Sequence, residues 1–372
     1  MIKVEPVSKA ASEAAVSTLL IDTDVHEYLH AATELLPYLD PVWQKYMTET
    51  RWDKSRISQH AYGTPTQFHG TRAEWLLPDG TMGTDLEQMR TMLFGEEHVT
   101  HAILNGFFHV SAMRGNYEFA TALASAYNDW QVEKWLVPEP RLFGSVHVVA
   151  RDPQQAAREI DRVAEHPQIA QVFLPVVSDC EYGDPFYRPI FKAAAKHGLS
   201  IAFHHGQETH SGVGYPRYFV EWHTLAPPQG SIAQLVSIIT NGVFDEFPEL
   251  HLVLLETGVA WVPWLMWRLD QQYREYRREI PWVKRLPSLH MRDNVRVSTQ
   301  PMGDLKTRDF VSLVNMVESD RIFVFATDFP HYDADSLGNV LPESIPTALR
   351  NKIMYENALE SYPRLAHVKP PT

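Results

Sequence analysis

Eight short, β-branched-rich segments recur along the chain, and most are followed by a stretch with helical spacing. That alternation constrains the fold more than any other feature of the sequence. The segments lie at Thr18–Val25, His101–Gly106, Leu142–Val149, Gln171–Val177, Ser200–His204, Leu252–Leu255, Asn294–Ser298 and Ile322–Ala326. Between them, Asn116–Trp135 places Tyr117, Ala120, Leu123, Ala124 and Tyr127 at helical intervals. Asp152 and Pro153 read as an N-cap and first helical residue, and a helix through Tyr187–His197 stops at Gly198. Ile232–Asn241, Trp264–Arg278 and Phe310–Val317 read as further helices. Strands alternating with helices imply a parallel sheet under helical cover. Eight such units favour an α/β fold of the (β/α)8 barrel type over an open doubly wound sheet, since a barrel needs about 250 residues and tolerates insertions.

The predicted organisation is an N-terminal arm over residues 1–17, one barrel over 18–365 and a tail over 366–372. The arm is rich in Ala, Ser, Glu and Lys without a strand period. Residues 27–95 carry Trp43, Trp52 and Trp75 and read as a folded insertion or lid after the first strand.

Composition excludes several functions. The 33 Lys and Arg stand against 46 Asp and Glu, a net charge of −13 that opposes nucleic-acid binding. The single cysteine, Cys180, excludes an intramolecular disulfide and any multi-cysteine metal site. The longest apolar stretch, Val259–Trp267, contains a proline and falls short of the ~18 residues of a membrane span. No glycine fingerprint for a dinucleotide or a phosphate loop follows any strand. The expectation is a cytoplasmic enzyme of a small molecule, assembled as a homodimer or larger homo-oligomer.

Parity along the strands points to the chemistry. In the first strand Ile21 and Val25 share one face, and Asp22, Asp24 and His26 the other. In Ser200–His204 the helices take Ile201 and Phe203, which leaves Ala202 and His204 inside. In the last strand Phe323 and Phe325 face outward, which leaves Val324, Ala326 and Asp328 inside. Asp24, His26, His204 and Asp328 therefore converge on the carboxyl-terminal mouth, where barrel active sites form. Two imidazoles with one or two carboxylates suit one divalent ion, zinc first and manganese as the alternative.

These residues also carry a resemblance. Asp24-Val25-His26, His204-His205-Gly206 and Thr327-Asp328-Phe329-Pro330-His331 resemble the strand ends of the amidohydrolase-related family of metal-dependent TIM barrels, and in particular its aminocarboxymuconate-semialdehyde decarboxylase-like branch. The likeness extends through Gly183-Asp184-Pro185, Gly242-Val243-Phe244, Phe247-Pro248-Glu249-Leu250, Glu256-Thr257-Gly258, Leu286-Pro287-Ser288 and Glu356-Asn357-Ala358, from Leu20 to Leu365.

By position, the resemblance implies His26 and His204 as metal ligands, Asp24 as a further ligand, and Asp328 as ligand or proton acceptor. The fourth-strand segment Gln171–Pro175 has no lysine to form a bridging carbamate, which favours one metal. Many decarboxylases of the family have a His-x-Gly where this chain has Glu256-Thr257-Gly258. Glu256 is therefore read as a general acid/base, a partner to a ligand histidine, or a structural carboxylate. His331 contacts substrate or orients Asp328. His205 has the wrong parity for the metal and is expected beside a ligand or the substrate, and Asp333 reads as a turn or cap residue. Phe107, Phe108, His109 and Trp261 are candidates to stack on a planar substrate. An ionised Glu256 favours hydrolysis by activated water, with Asp328 accepting a proton. The alternatives are non-oxidative decarboxylation of an aromatic or unsaturated acid, and a non-catalytic metal- or ligand-binding barrel.

Overall fold

All eight expected strands are present, and they neighbour one another in chain order. In the computed structural model, which describes residues 19–54, 75–106, 115–205, 214, 216–302, 305–342 and 344–369, β1 (Ile21–Val25), β2 (His101–Leu104), β3 (Leu142–His147), β4 (Ile169–Pro175), β5 (Ser200–His204), β6 (Leu252–Leu254), β7 (Val295–Ser298) and β8 (Phe323–Val324) form one parallel sheet. Backbone hydrogen bonds close it on itself: Thr23 N to Phe325 O at 3.0 Å, Asp328 N to Asp24 O at 3.0 Å and His26 N to Phe329 O at 2.8 Å. The chain is a (β/α)8 barrel. Residues 1–17 and the candidates Phe107, Phe108 and His109 lie outside the described residues.

Helices cover the barrel where the sequence places them, one of them longer than expected and joined by further helices. The Asp152 carboxylate accepts the Gln155 N–H at 2.9 Å and starts the Pro153–Val163 helix. Gly198 ends Arg188–His197 at φ +63°, a left-handed conformation that a side chain would resist. The helix expected from Ile232 instead starts at Phe219 and runs to Thr240, through Pro227 and Pro228. Proline removes a hydrogen bond and ordinarily breaks a helix, so its first half reads as loop in sequence. Pro287–Asn294 is an additional helix. Part of the expected insertion packs on the Tyr117–Gln131 helix, with Trp43 and Trp52 at 5.7 and 5.6 Å from Phe119, ring centre to ring centre.

Three layers fill the barrel, as such interiors require. Ile21, Ile103, Phe143, Ala202, Val253 and Val324 form an apolar floor with Tyr362 and Leu365 of the C-terminal segment. Above it lies a buried polar layer: Gln171 Nε2 donates to Asn105 Oδ1 (2.5 Å) and Ser145 Oγ (2.9 Å), and the Tyr362 hydroxyl donates to Gln171 Oε1 (3.0 Å). Asn105 Nδ2 then donates to Asp24 Oδ1 at 2.7 Å, tying that layer to the mouth. Ile21 in the floor departs from the simple parity of the first strand. Pairing of β1 with β2 shifts between Asp22 and Val25, and such a bulge re-aims the side chains beyond it. Ile21 and, past the shift, Asp24 and His26 thus all reach the interior.

Candidate metal centre

The carboxyl ends of β1, β5 and β8 bring Asp24, His26, His204 and Asp328 together. Each offers one ligand atom, and these atoms lie within 4.8 Å of one another. His26 Nε2 is 3.3 Å from Asp24 Oδ1 and 3.0 Å from Asp328 Oδ1, while His204 Nε2 is 3.8 Å from Asp24 Oδ2. The two imidazoles meet edge to face, 5.0 Å apart. All four side chains are essentially inaccessible to water. Asp328 holds φ +62° and Glu256 φ +51°, a region most side chains avoid. At both strand ends that turn aims a carboxylate back over the mouth.

Asp328 is held from three sides. His331 Nδ1 lies 2.7 Å from Asp328 Oδ1, and Tyr28 Oη lies 2.8 Å from His331 Nε2. The tautomer that satisfies both has the tyrosine hydroxyl donating to Nε2 and Nδ1–H donating to the carboxylate. Gln300 Nε2 donates to Asp328 Oδ2 at 3.3 Å. Below the site, Asp22 accepts the Thr327 N–H (3.0 Å) and hydroxyl (2.5 Å), which fixes the turn that carries Asp328. Burial, reinforced by repulsion from Glu256 and Asp24, pushes the Asp328 carboxyl well above the usual carboxylate range.

Glu256 is the hub of an imidazole cluster. Its Oε2 is 3.2 Å from His204 Nε2 and 2.6 Å from His205 Nε2, and its Oε1 is 3.1 Å from His223 Nε2. Burial works against its charge, but His205, His204 and His223 outweigh burial and hold its carboxyl well below the ordinary range. For His204, burial favours the neutral ring, yet Asp24 and the hydrogen bond to Glu256 raise its pKa to about 9. His205, expected away from the metal, reaches over the mouth onto Glu256 because β5 ends at His204 and the chain is no longer pleated there. Asp333, expected as a turn or cap residue, has Oδ2 3.9 Å from His223 Nε2. Burial and then Glu256 raise its pKa to about 6. The Trp261 indole donates to Thr257 O at 3.0 Å. Sequence reasoning missed His223, whose helix is masked by the two prolines, and Tyr28 and Gln300, which touch the site only through partners distant in sequence.

The donor set fits one divalent ion. Two imidazoles and two carboxylates converge from separate strands, and Asp24 Oδ2 is buried without a hydrogen bond among the described residues. Buried carboxylate oxygens rarely stay so unless a cation meets them. The β4 strand that lies beside β5 has no lysine, and Gln171 there is engaged in the polar layer below.

Comparison with known proteins agrees with this geometry. A family model described as amidohydrolase matches residues 21–364. A γ-resorcylate decarboxylase of Rhizobium sp. (strain MTP-10005) is 24% identical over 261 residues, which cover 64% of this chain and 75% of that protein. The solved 5-carboxyvanillate decarboxylase of Sphingomonas paucimobilis superposes with a TM-score of 0.68 at 21% identity, covering 93% of this chain and 99% of the other. A dihydroxybenzoic acid decarboxylase of Polaromonas sp. JS666, solved with manganese and 2-nitroresorcinol, gives 0.67 at 19% identity, with 94% and 98% covered.

Proposed function

The chain belongs to the amidohydrolase family, and within it we propose a metal-dependent carboxy-lyase that releases carbon dioxide from a hydroxylated aromatic acid without oxidation. The observation that carries this reading is the convergence of Asp24, His26, His204 and Asp328 at the barrel mouth, beside relatives whose names are those of aromatic-acid decarboxylases. The hydrolase expectation rested on an ionised Glu256, which suits activation of water better than protonation of carbon. With Asp328 standing over the same mouth, an ionised Glu256 no longer argues for hydrolysis, and decarboxylation becomes the better reading.

Asp24, His26, His204 and Asp328 would hold one ion, with manganese preferred to zinc because two of the four donors are carboxylate oxygens. When bound, the ion supplies a Lewis acid that favours an anionic substrate. Asp328 delivers a proton to the ring carbon that bears the carboxylate. The carbon–carbon bond then breaks, its electron pair returns to the ring, and carbon dioxide leaves. His331, fixed by Tyr28, orients Asp328, and Glu256 holds His204 and His205 in place.

The test is product analysis with manganese-loaded protein on 2,6-dihydroxybenzoate and 5-carboxyvanillate. Carbon dioxide release with solvent deuterium on the ring carbon supports the proposal, and Asp328→Asn should slow it by ~10²-fold or more. Incorporation of oxygen from labelled water without carbon dioxide would overturn it.

A further inference from the structure

One side chain inside the barrel mouth has no role in the arrangement above. His147 is the last residue of β3, on the same interior face as Phe143 in the floor and Ser145 in the polar layer. It is fully buried, and neither ring nitrogen has a hydrogen-bond partner among the described residues. An unmet buried polar group is costly, so native proteins seldom keep one without use.

The ring is held in place on both sides. Its backbone N–H donates to Asn128 Oδ1 at 2.8 Å, and Asn128 Nδ2 donates to the His147 carbonyl at 3.0 Å. Glu159 Oε1 accepts from the same Asn128 amide at 2.9 Å, tying the strand end to a second helix. Tyr127 meets the imidazole edge-on at 5.0 Å and Phe173 lies at 5.0 Å with 31° between planes. Phe173 is in turn 5.8 Å from the His204 ring. The imidazole thus stands on the carboxyl-terminal side of the barrel, one aromatic ring away from the candidate metal cluster.

We propose that His147 is a substrate-contacting residue whose imidazole hydrogen-bonds a ring hydroxyl of the aromatic acid. The inference rests on the carboxy-lyase reading and extends it to substrate specificity. A neutral imidazole presents one donor and one acceptor, and a phenolic hydroxyl is the ring substituent that can answer either. Burial, with a smaller contribution from His26, lowers the His147 pKa to about 3, so the ring carries no charge with which to attract a carboxylate. The carboxylate end of the substrate is left to the metal cluster, and the hydroxyl to His147.

The experiment compares kcat/KM for 2,6-dihydroxybenzoate and 2-hydroxybenzoate, which differ by one ring hydroxyl, in manganese-loaded wild type, His147→Phe and His147→Gln. Wild type should favour the dihydroxy acid by about 10-fold or more. His147→Phe should remove that preference with manganese content unchanged, and His147→Gln, which keeps a donor and an acceptor, should retain most of it. Where the phenylalanine variant does not fold, His147→Leu carries the same expectation. A purely structural role would slow both substrates equally, and that result overturns the inference, as does an undiminished preference in His147→Phe. Wild type that releases carbon dioxide from no aromatic acid overturns the carboxy-lyase reading and this inference with it.

Discussion

His223 Nε2 lies 3.1 Å from Glu256 Oε1, although the two belong to different elements and stand 33 positions apart. That contact completes a ring of three imidazoles around one buried carboxylate, with His204 and His205 on the other oxygen. The acidic member of the cluster stands just past β6, and its histidines come from the end of β5 and from the Phe219–Thr240 helix.

Neutralising Glu256 should loosen the metal cluster. Glu256→Gln keeps the shape but leaves His204, His205 and His223 facing an amide. Partners that orient metal-ligating histidines commonly contribute about 10- to 100-fold in metal affinity. Manganese retained per chain in a graded series of chelator buffers should fall by that factor. Retention equal to wild type would reduce Glu256 to a packing role.

Ion binding should be linked to pH through His204. In the metal-free chain its pKa stands at about 9, above the ~6.5 of a free histidine. The charged ring therefore stabilises the fold fully below about pH 6.5, and that contribution disappears as pH rises through about 9. An ion must displace this proton, so apparent affinity should climb from neutral pH towards 9 and then level off. Calorimetry in buffers of different ionisation enthalpy counts the protons released, and a flat affinity across that range would contradict the assignment.

Gly106 lies two residues past β2, against Tyr127 and Glu27. Its φ is +41°, and a Cβ there would collide with the Tyr127 hydroxyl and the Glu27 carboxylate, which share a 2.7 Å hydrogen bond beside His26. Gly106→Ala should cost about 2 kcal/mol or more through overpacking and an unfavourable backbone conformation. The urea midpoint measures this; an unchanged midpoint would mean that Glu27 and Tyr127 can move aside freely.

The architecture was legible because each strand and helix carries its own period, and period is a property of neighbouring residues. Asp24, His26, His204 and Asp328 were legible as polar residues at or just past strand ends, although alternation alone does not aim them: the β1 shift brings Ile21 inside as well, and a turn at φ +62° points Asp328 over the mouth. No local period reveals the register between strands, so the shift that admits Ile21 to the floor and the layer joining Asn105, Ser145 and Gln171 appear only when β1 to β4 are assembled.

His223 was hidden because Pro227 and Pro228 argue locally against the helix that tertiary packing stabilises. The family was written in short motifs along the chain, whereas the pKa shift of each strand-end carboxyl depends on which one the closed barrel surrounds with imidazoles and which it crowds with other carboxylates. Glu256 and Asp328 are both acidic residues at strand ends in the sequence. Only the fold gives the first three imidazoles and sets the second beside Asp24 and Glu256, because electrostatic environment is a sum over neighbours that the chain brings together from far apart.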